Sequence, residues 1–428
     1  MKLVNLNEKE FDEFALKHEQ FSFYQSTQWG HLKELNGWKM HLVGFKNKNK
    51  IIAASMLLEK QTPIRKKVFY APRGFLINYK DKEILNEFTD CIKKYVKKNK
   101  GFFIKIDPYI TYVTRDIDGN IVEGKENNED VLKNLESLGY KYYGRNKNIG
   151  KELQPRWMFA LDLDKSEKEI FNNFSNNTKR CIHRCEKNGL KVKEITHENL
   201  NEYKKIMEHT ANRRGFIDRP MSYYENMVKM LDENIKILIC TLNTKEYLEK
   251  ISKEEVEAIN NLKEVEKSIE ENNGKKAKVR KKELENELEQ IKRHKDEANE
   301  MIKNYGEEIA MSGAMFITSG KEIVYLFSGS YDYFMKYNAQ FLIQWEIIKY
   351  GIKNKYKRYN FYGISGNFDK ENDMYGIYLF KRGFNGYVIE LLGEFDLVIN
   401  KFYYNLYKKA FVTYQRLKYI KNKFKKNK

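Results

Sequence analysis

The chain has 428 residues, 41% of them hydrophobic, which suits two or three cored domains and excludes a disordered protein. Its formal net charge of +19 points to an anionic partner: nucleic acid, an anionic membrane surface or a phosphorylated substrate. Four cysteines are too few for a disulfide framework, and the longest apolar runs, such as IIAASMLL at 51–58, are too short to span a bilayer. With no signal-peptide pattern in MKLVNLNEKEFDEF, a reducing cytoplasm is expected, with any membrane contact peripheral.

The predicted elements begin with a helix in NEKEFDEFALKH, which opens on an asparagine cap and puts Phe11, Phe14 and Ala15 on one face. WKMHLVGF and KIIAASMLLEK, joined by the polar KNKN, predict an antiparallel hairpin. DKEILNEFTDCIKKYVKK predicts an amphipathic helix with Ile84, Phe88, Cys91, Ile92 and Tyr95 on its apolar side. FFIKID follows as a strand ending at Asp107 and Pro108. RWMFALDLD predicts another strand, and 167–189 a helical segment closed by Gly189. Two further helices and the strand IKILICTL come next, then a hairpin from 308, the helix 339–355 and the strand YKRYNFYG. Two successive α+β units of similar element order are expected, at about 1–150 and 151–392.

Residues 246–305 break that order. Ala258, Leu262, Val265 and Ile269 are spaced four, three and four apart, and Leu284, Leu288 and Ile291 keep the rhythm, with EENNG between the runs. This predicts an antiparallel coiled-coil hairpin inserted between two strands and standing out from the body. Its tip, KKAKVRKK, carries Lys275, Lys276, Lys278, Arg280, Lys281 and Lys282 without an acid, which suits a long polyanion or a merely solvated hairpin end. The last segment, 401–428, holds ten Lys/Arg and no acid among helically spaced aromatics, so more than half the net charge lies there. Two readings stand: a basic amphipathic helix on anionic lipid or RNA, or a helix packed on the body with a solvated end.

Familiar catalytic signatures are absent. There is no Walker A loop and no H-E-x-x-H helix, and GISGN at 363–367 departs from G-x-S-x-G at Asn367. Cys181 and Cys185 share a helix face but lack the second ligand cluster of a zinc site, so they read as buried thiols. Three stretches stand out instead. WGHLK sets Lys33 one turn from Trp29. FIDRPMSYY places Arg219 before a helix-starting proline with Tyr223 near the same helix end, a candidate phosphate site or an ordinary capping arginine. YLFKRGF holds Lys381 and Arg382 between Phe380 and Phe384.

FYQSTQWGHLKELNGW, FFIKIDP, FSNNTKRCIHRCEKNGL, RRGFIDRPMSYY, YLFSGSYD and YLFKRGF, in this order, resemble the FemABX peptidyltransferases over about residues 1–400. The resemblance implies an α+β chain of two tandem GNAT-like domains, the first completed by residues near 393–412, with the helical arm of the Fem-type members. It implies transfer of an amino acid from aminoacyl-tRNA, the co-substrate, to the stem-peptide amine of a peptidoglycan precursor, with no other cofactor and no metal. By resemblance, Lys33 and Arg219 would hold the precursor's phosphates, whether uridine diphosphate-linked or lipid-linked. Tyr223 would orient it, Asp107 would face the acceptor peptide, and Lys381 would stand near the tRNA acceptor end with Phe380 beside it. The arm's tip would be a tRNA contact. Phe327 and Phe102 stand where a short family member has tyrosines, which removes two hydroxyls.

The chemistry agrees with those assignments. The donor is an activated ester, so neither ATP nor metal is required, whereas the acceptor amine, with an ordinary pKa of about 10.4, must lose a proton. Attack creates an oxyanion that a fixed cation would stabilise, and Lys381 is the expected cation. Asp107 is expected either as general base or as a seat for the acceptor ammonium. Transfer to a lipid head group, and a non-enzymatic tRNA- or membrane-binding role on the same scaffold, are the competing readings. The basic tail favours a lipid-linked acceptor and contact with the inner face of the membrane.

Overall fold

A computed structural model describes residues 1–144, 146–147, 152–272, 274–410 and 413. The fold is α+β and is built on two sheets. In chain order the first part runs β1 (Lys2–Asn5), α1 (Glu8–Lys17), α2 (Thr27–Glu34), β2 (Lys39–Asn47), β3 (Lys50–Gln61), β4 (Lys67–Ala71), α3 (Lys82–Lys98), β5 (Gly101–Ile106), β6 (Thr111–Thr114), α4 (Glu129–Ser137) and β7 (Tyr140–Tyr142). The second begins with β8 (Trp157–Asp162), α5 (Glu167–Asn173), α6 (Asn176–Lys187), β9 (Lys191–Glu194), α7 (Leu200–Arg214), α8 (Met221–Leu231) and β10 (Ile235–Asn243). The arm helices α9 (Thr244–Asn272) and α10 (Lys275–Tyr305) follow, then β11 (Glu308–Ser319), β12 (Glu322–Ser330), α11 (Ala339–Lys353), β13 (Arg358–Gly363), α12 (Tyr375–Arg382), β14 (Tyr387–Leu391) and β15 (Phe395–Val398).

The first sheet has the order β1-β2-β3-β4-β5-β15-β7, and the second, read from its far edge, β9-β10-β11-β12-β13-β8-β14-β6. The seven strands of the first correspond in order to the first seven of the second, and β6 is the additional edge strand. Each sheet opens with antiparallel neighbours and has one parallel pair, β4 with β5 and β12 with β13. A parallel pair needs a crossover, and α3 and α11 supply it. The molecule is thus a tandem pair of GNAT-like units. In each sheet the strand beside that parallel pair is out of sequence order. β15, near the C-terminus, lies between β5 and β7. β8, which directly follows the first unit in sequence, lies between β13 and β14.

Local chemistry explains the boundaries. Asn7 caps α1 in a reciprocal capping box with Glu10, and Phe11 and Ala15 face the core. The expected stripe of α3 sits about one residue from where periodicity placed it. Leu85, Phe88, Thr89, Ile92 and Val96 are buried, and Ile84, Cys91 and Tyr95 flank them. The single helix expected over 167–189 is two. α5 ends at Phe174, and the Ser175 hydroxyl accepts from the Thr178 N–H to start α6.

α9 and α10 pair side by side, with Lys281 on Glu266 at 2.8 Å and Lys295 on Glu255 at 2.5 Å, so they run antiparallel. Ala258, Leu284, Ile291 and Ala298 are buried along the seam, while Leu262, Val265, Ile269 and Leu288 are half-buried. Helices of 29 and 31 residues reach about 45 Å. The arm occupies the β10–β11 connection, where the corresponding β2–β3 link in the first sheet is a tight turn. Residues 401–410 are helical and pack on the first sheet through Tyr403, Tyr404 and Tyr407. Of the basic tail, 411–412 and 414–428 lie outside the described residues. No described helix is long and apolar enough to cross a membrane.

Candidate functional site

The YLFKRGF stretch is part of α12, and the helix explains its odd composition. Tyr378 and Lys381, three residues apart, share the buried face. Phe380 turns the other way, its ring edge-on to Phe341 at 4.9 Å and to Phe384 at 5.6 Å. It packs against the core beside α12. The glycine at 386 is fixed by close approach, because a Cβ there would come within 1.9 Å of the Ala160 carbonyl on β8. Arg382 points out and pairs with Asp118 at 2.7 Å.

Lys381 is only 5% exposed. Its Nζ donates to the Gly363 carbonyl at 2.7 Å and to the Tyr362 carbonyl at 3.4 Å, at the C-terminal end of β13. Burial, with no carboxylate paired to it among the described residues, pulls its pKa down to about 7.

Tyr362 links this lysine to the rest of the site. Its backbone is left-handed, φ 65°, and the buried Asn360 side chain braces it by accepting from the Tyr362 N–H at 2.7 Å. Its phenol lies 2.7 Å from the Tyr24 hydroxyl and donates to Gln154 Oε1 at 2.9 Å. Tyr24 stands edge-on to Trp29, and Lys33 lies over the Trp29 ring at 4.2 Å. A continuous path therefore runs from Lys33 in the first unit to Lys381 in the second.

At the Lys33 end, α2 packs on α8. Burial pulls the Lys33 pKa down to about 8, helped by the neighbouring cations Arg219 and Lys60. Arg219 is exposed and lies over the Tyr223 ring at 5.2 Å. Lys33 over Trp29 and Arg219 over Tyr223 thus stand near each other as two cations on aromatic rings, a candidate seat for an anion.

Asp107 is buried against a residue the sequence reading missed, Arg73. Asp107 Oδ1 accepts from the Arg73 N–H at 2.8 Å, and Oδ2 lies 3.6 Å from Nη1. Burial raises the Asp107 pKa to about 6 against the opposing pull of Arg73. Arg73 is itself buried, has φ 53°, and donates to the Pro155 carbonyl at 2.6 Å. Gln25 holds its loop by donating to the Pro72 carbonyl at 2.8 Å. Burial raises the Tyr362 pKa, with Arg73, Tyr24, Asp107 and Tyr223 as further influences, so these groups surround one phenol. Arg73 could have been suspected from its glycine neighbour in APRGF. Tyr24 and Tyr362, two among 30 tyrosines, left no such signal.

Phe102 faces away from this cluster, against Tyr403 and Tyr407, so its missing hydroxyl does not bear on the site. Phe327 is half-buried, 6.4 Å from the Tyr224 ring. Cys181 and Cys185 are buried on α6, and no described group of His, Cys, Asp or Glu could hold a metal. At the arm's tip Arg280 pairs with Glu283 and Lys281 with Glu266, while Lys275, Lys276, Lys278 and Lys282 are exposed.

A buried, partly neutral lysine at a strand end, a two-cation anion seat and a phenol–carboxylate cluster between them suit acyl transfer onto an anchored acceptor. The family model described as the FemAB family matches residues 6–411. Aminoacyltransferase FemA of Staphylococcus epidermidis (strain RP62A) is 34% identical over 417 residues, covering 95% of this chain and 98% of that protein. Aminoacyltransferase FemA of Staphylococcus aureus (strain MRSA252) is 32% identical over 431 residues, covering 99% and 100%. The crystal structure of FemX superposes with a TM-score of 0.77 at 28% identity, over 95% of this chain and 99% of that one. A match that spans both sheets, the arm and every residue of the site leads to one conclusion: this chain belongs to the FemAB family.

Proposed function

We propose that this aminoacyltransferase moves an aminoacyl group from aminoacyl-tRNA to the stem-peptide amine of a lipid-linked peptidoglycan precursor. The observation that carries the reading is the pairing of Lys381, buried and poised near neutral pH, with the Lys33–Arg219 seat at the other end of one continuous path. The seat takes the precursor's phosphates, with Tyr223 at its side. Its two cations repel until an anion arrives, so binding relieves strain already present.

Chemistry then proceeds at the Tyr362 end. The neutral acceptor amine attacks the ester carbonyl carbon, a C–N bond forms, and the carbonyl electron pair moves to oxygen. Protonated Lys381 stabilises that oxyanion. Collapse breaks the bond to the ribose oxygen, and the proton lost by the new amide nitrogen balances the one taken up by the ribose alkoxide. Because Asp107 is committed to Arg73, it serves better to seat the acceptor ammonium than to carry a proton away. Neither ATP nor a metal is required by this sequence, since the ester is already activated. The exposed lysines of the arm's tip meet the tRNA backbone.

The deciding experiment supplies mixed charged tRNAs with the lipid-linked and the nucleotide-linked precursor in turn and reads product masses. A mass gain of one amino-acid residue on the lipid-linked precursor is expected. No gain with any pair overturns the reading.

A further inference from the structure

The loop between α7 and α8 presents an apolar apex in a basic frame. Ile217 is 89% exposed and Phe216 47%, both rare values for such side chains. Arg213, Arg214 and Arg219, all exposed, flank them. The loop is a built feature. Gly215, at φ 71°, ends α7, and the Phe216 N–H donates to the Ala211 carbonyl at 3.1 Å. Asp218, the loop's acid, is withdrawn from the surface. It accepts from Lys204 and from the Tyr224 hydroxyl, each at 2.6 Å. Pro220 then opens α8. The outward face is left with two apolar side chains and three arginines.

We propose that this loop docks on an anionic lipid bilayer, with Phe216 and Ile217 entering the acyl boundary and the arginines meeting lipid phosphates. The charge complements an anionic surface, and arginine stems can lie along the same boundary. Ile217, the more exposed of the two, is aliphatic and favours acyl chains over RNA, whose bases reward aromatic stacking. Arg219 belongs both to this loop and to the anion seat. It lies two positions beyond Ile217, at most about 7 Å of chain. The seat therefore lies at head-group depth when the apex is inserted. This depth match rests on the lipid-linked acceptor proposed above; the docking itself does not.

The test uses the full chain, so the C-terminal segment is constant throughout. Flotation with vesicles of phosphatidylglycerol and phosphatidylcholine compares the unaltered protein with the double variant Phe216→Ser, Ile217→Ser. An about tenfold weaker partition of the variant is expected. In Ile217→Trp, the new indole should shift to the blue and be quenched by brominated acyl chains. Equal partition of both proteins, with no shift in the tryptophan variant, overturns the proposal. So does a loss of tRNA affinity in the double variant with vesicle binding unchanged, which would assign the loop to RNA. Transfer onto a water-soluble nucleotide-linked precursor should be the same in both proteins if that precursor is accepted. If no precursor is accepted by either, the proposed reaction fails while the vesicle result still decides the docking.

Discussion

Lys381 carries a potential charge into a place water does not reach, and that has opposite effects on activity and stability. Lys381→Ala should lower kcat about a hundredfold with little change in precursor KM, read by single-turnover transfer, because a cation aimed at the oxyanion acts only in the transition state. Its contribution should be present below pH about 7 and lost as pH rises through it, as the buried amine loses its proton. The stability sign runs the other way. Between pH about 7 and its ordinary value of 10.5, the unfolded chain holds a proton on this lysine that the folded chain does not, so stability rises with pH across that window. Lys381→Met should therefore raise the melting temperature at neutral pH while lowering kcat as Lys381→Ala does. Asp107 makes a separate prediction. Asp107→Asn should raise the KM for the acceptor more than it lowers kcat, because it keeps the N–H···O contact from Arg73 but loses the charge. A large fall in kcat with KM unchanged would instead make Asp107 the base.

At the scale of elements, the arm separates binding from folding. Its tip touches nothing in the body among the described residues, so reversing Lys275, Lys276, Lys278 and Lys282 to glutamate should leave the melting temperature alone. The same change should raise the KM for charged tRNA and flatten its salt dependence, measured across an ionic-strength series. The arm was also the most legible element in the sequence, because a three–four apolar rhythm on a charged background has few other solutions. Legibility fell wherever the answer depended on contacts remote in sequence. The break between α5 and α6 rests on one serine cap inside a helical pattern, and α12 carries little helical signal because its buried face is only Tyr378 and Lys381. Lys33, Arg219 and Tyr223 were found from their motifs and lie together. The Arg73–Asp107 pair and the Tyr24–Tyr362 contact, spanning 34 and 338 positions, have no local signature.

For the whole molecule, the crossing of β6 into the second sheet and of β15 into the first means that neither unit is contained in one continuous stretch. A fragment of residues 1–150 would lack the strand that sits between β5 and β7, leaving buried Phe103, Ile104 and Ile106 of β5 beside an open edge. Expressed alone, it should show no cooperative unfolding transition, whereas the full chain should melt as one unit by calorimetry. A second, independent transition in the full chain would contradict this coupling. The contact path from Lys33 to Lys381 depends on the same arrangement, since Tyr24 and Lys33 come from the first unit and Tyr362, Arg219 and Lys381 from the second.

The exchanged strand also sets a schedule for biosynthesis. Residues 1–144 leave the ribosome long before Phe395–Val398 exist, a lag of some tens of seconds at roughly 5–20 residues per second. During that time the nascent first sheet has an unfilled slot beside β5, open to any strand of matching register. The late arrival of β15 closes it, together with Tyr404, whose hydroxyl donates to Asp396 at 2.8 Å. Translation that stops short of residue 395 would thus release a chain that already carries Lys381 and the anion seat but has no finished sheet beneath Asp107. The protein in effect withholds its first unit until nearly all of it has been made.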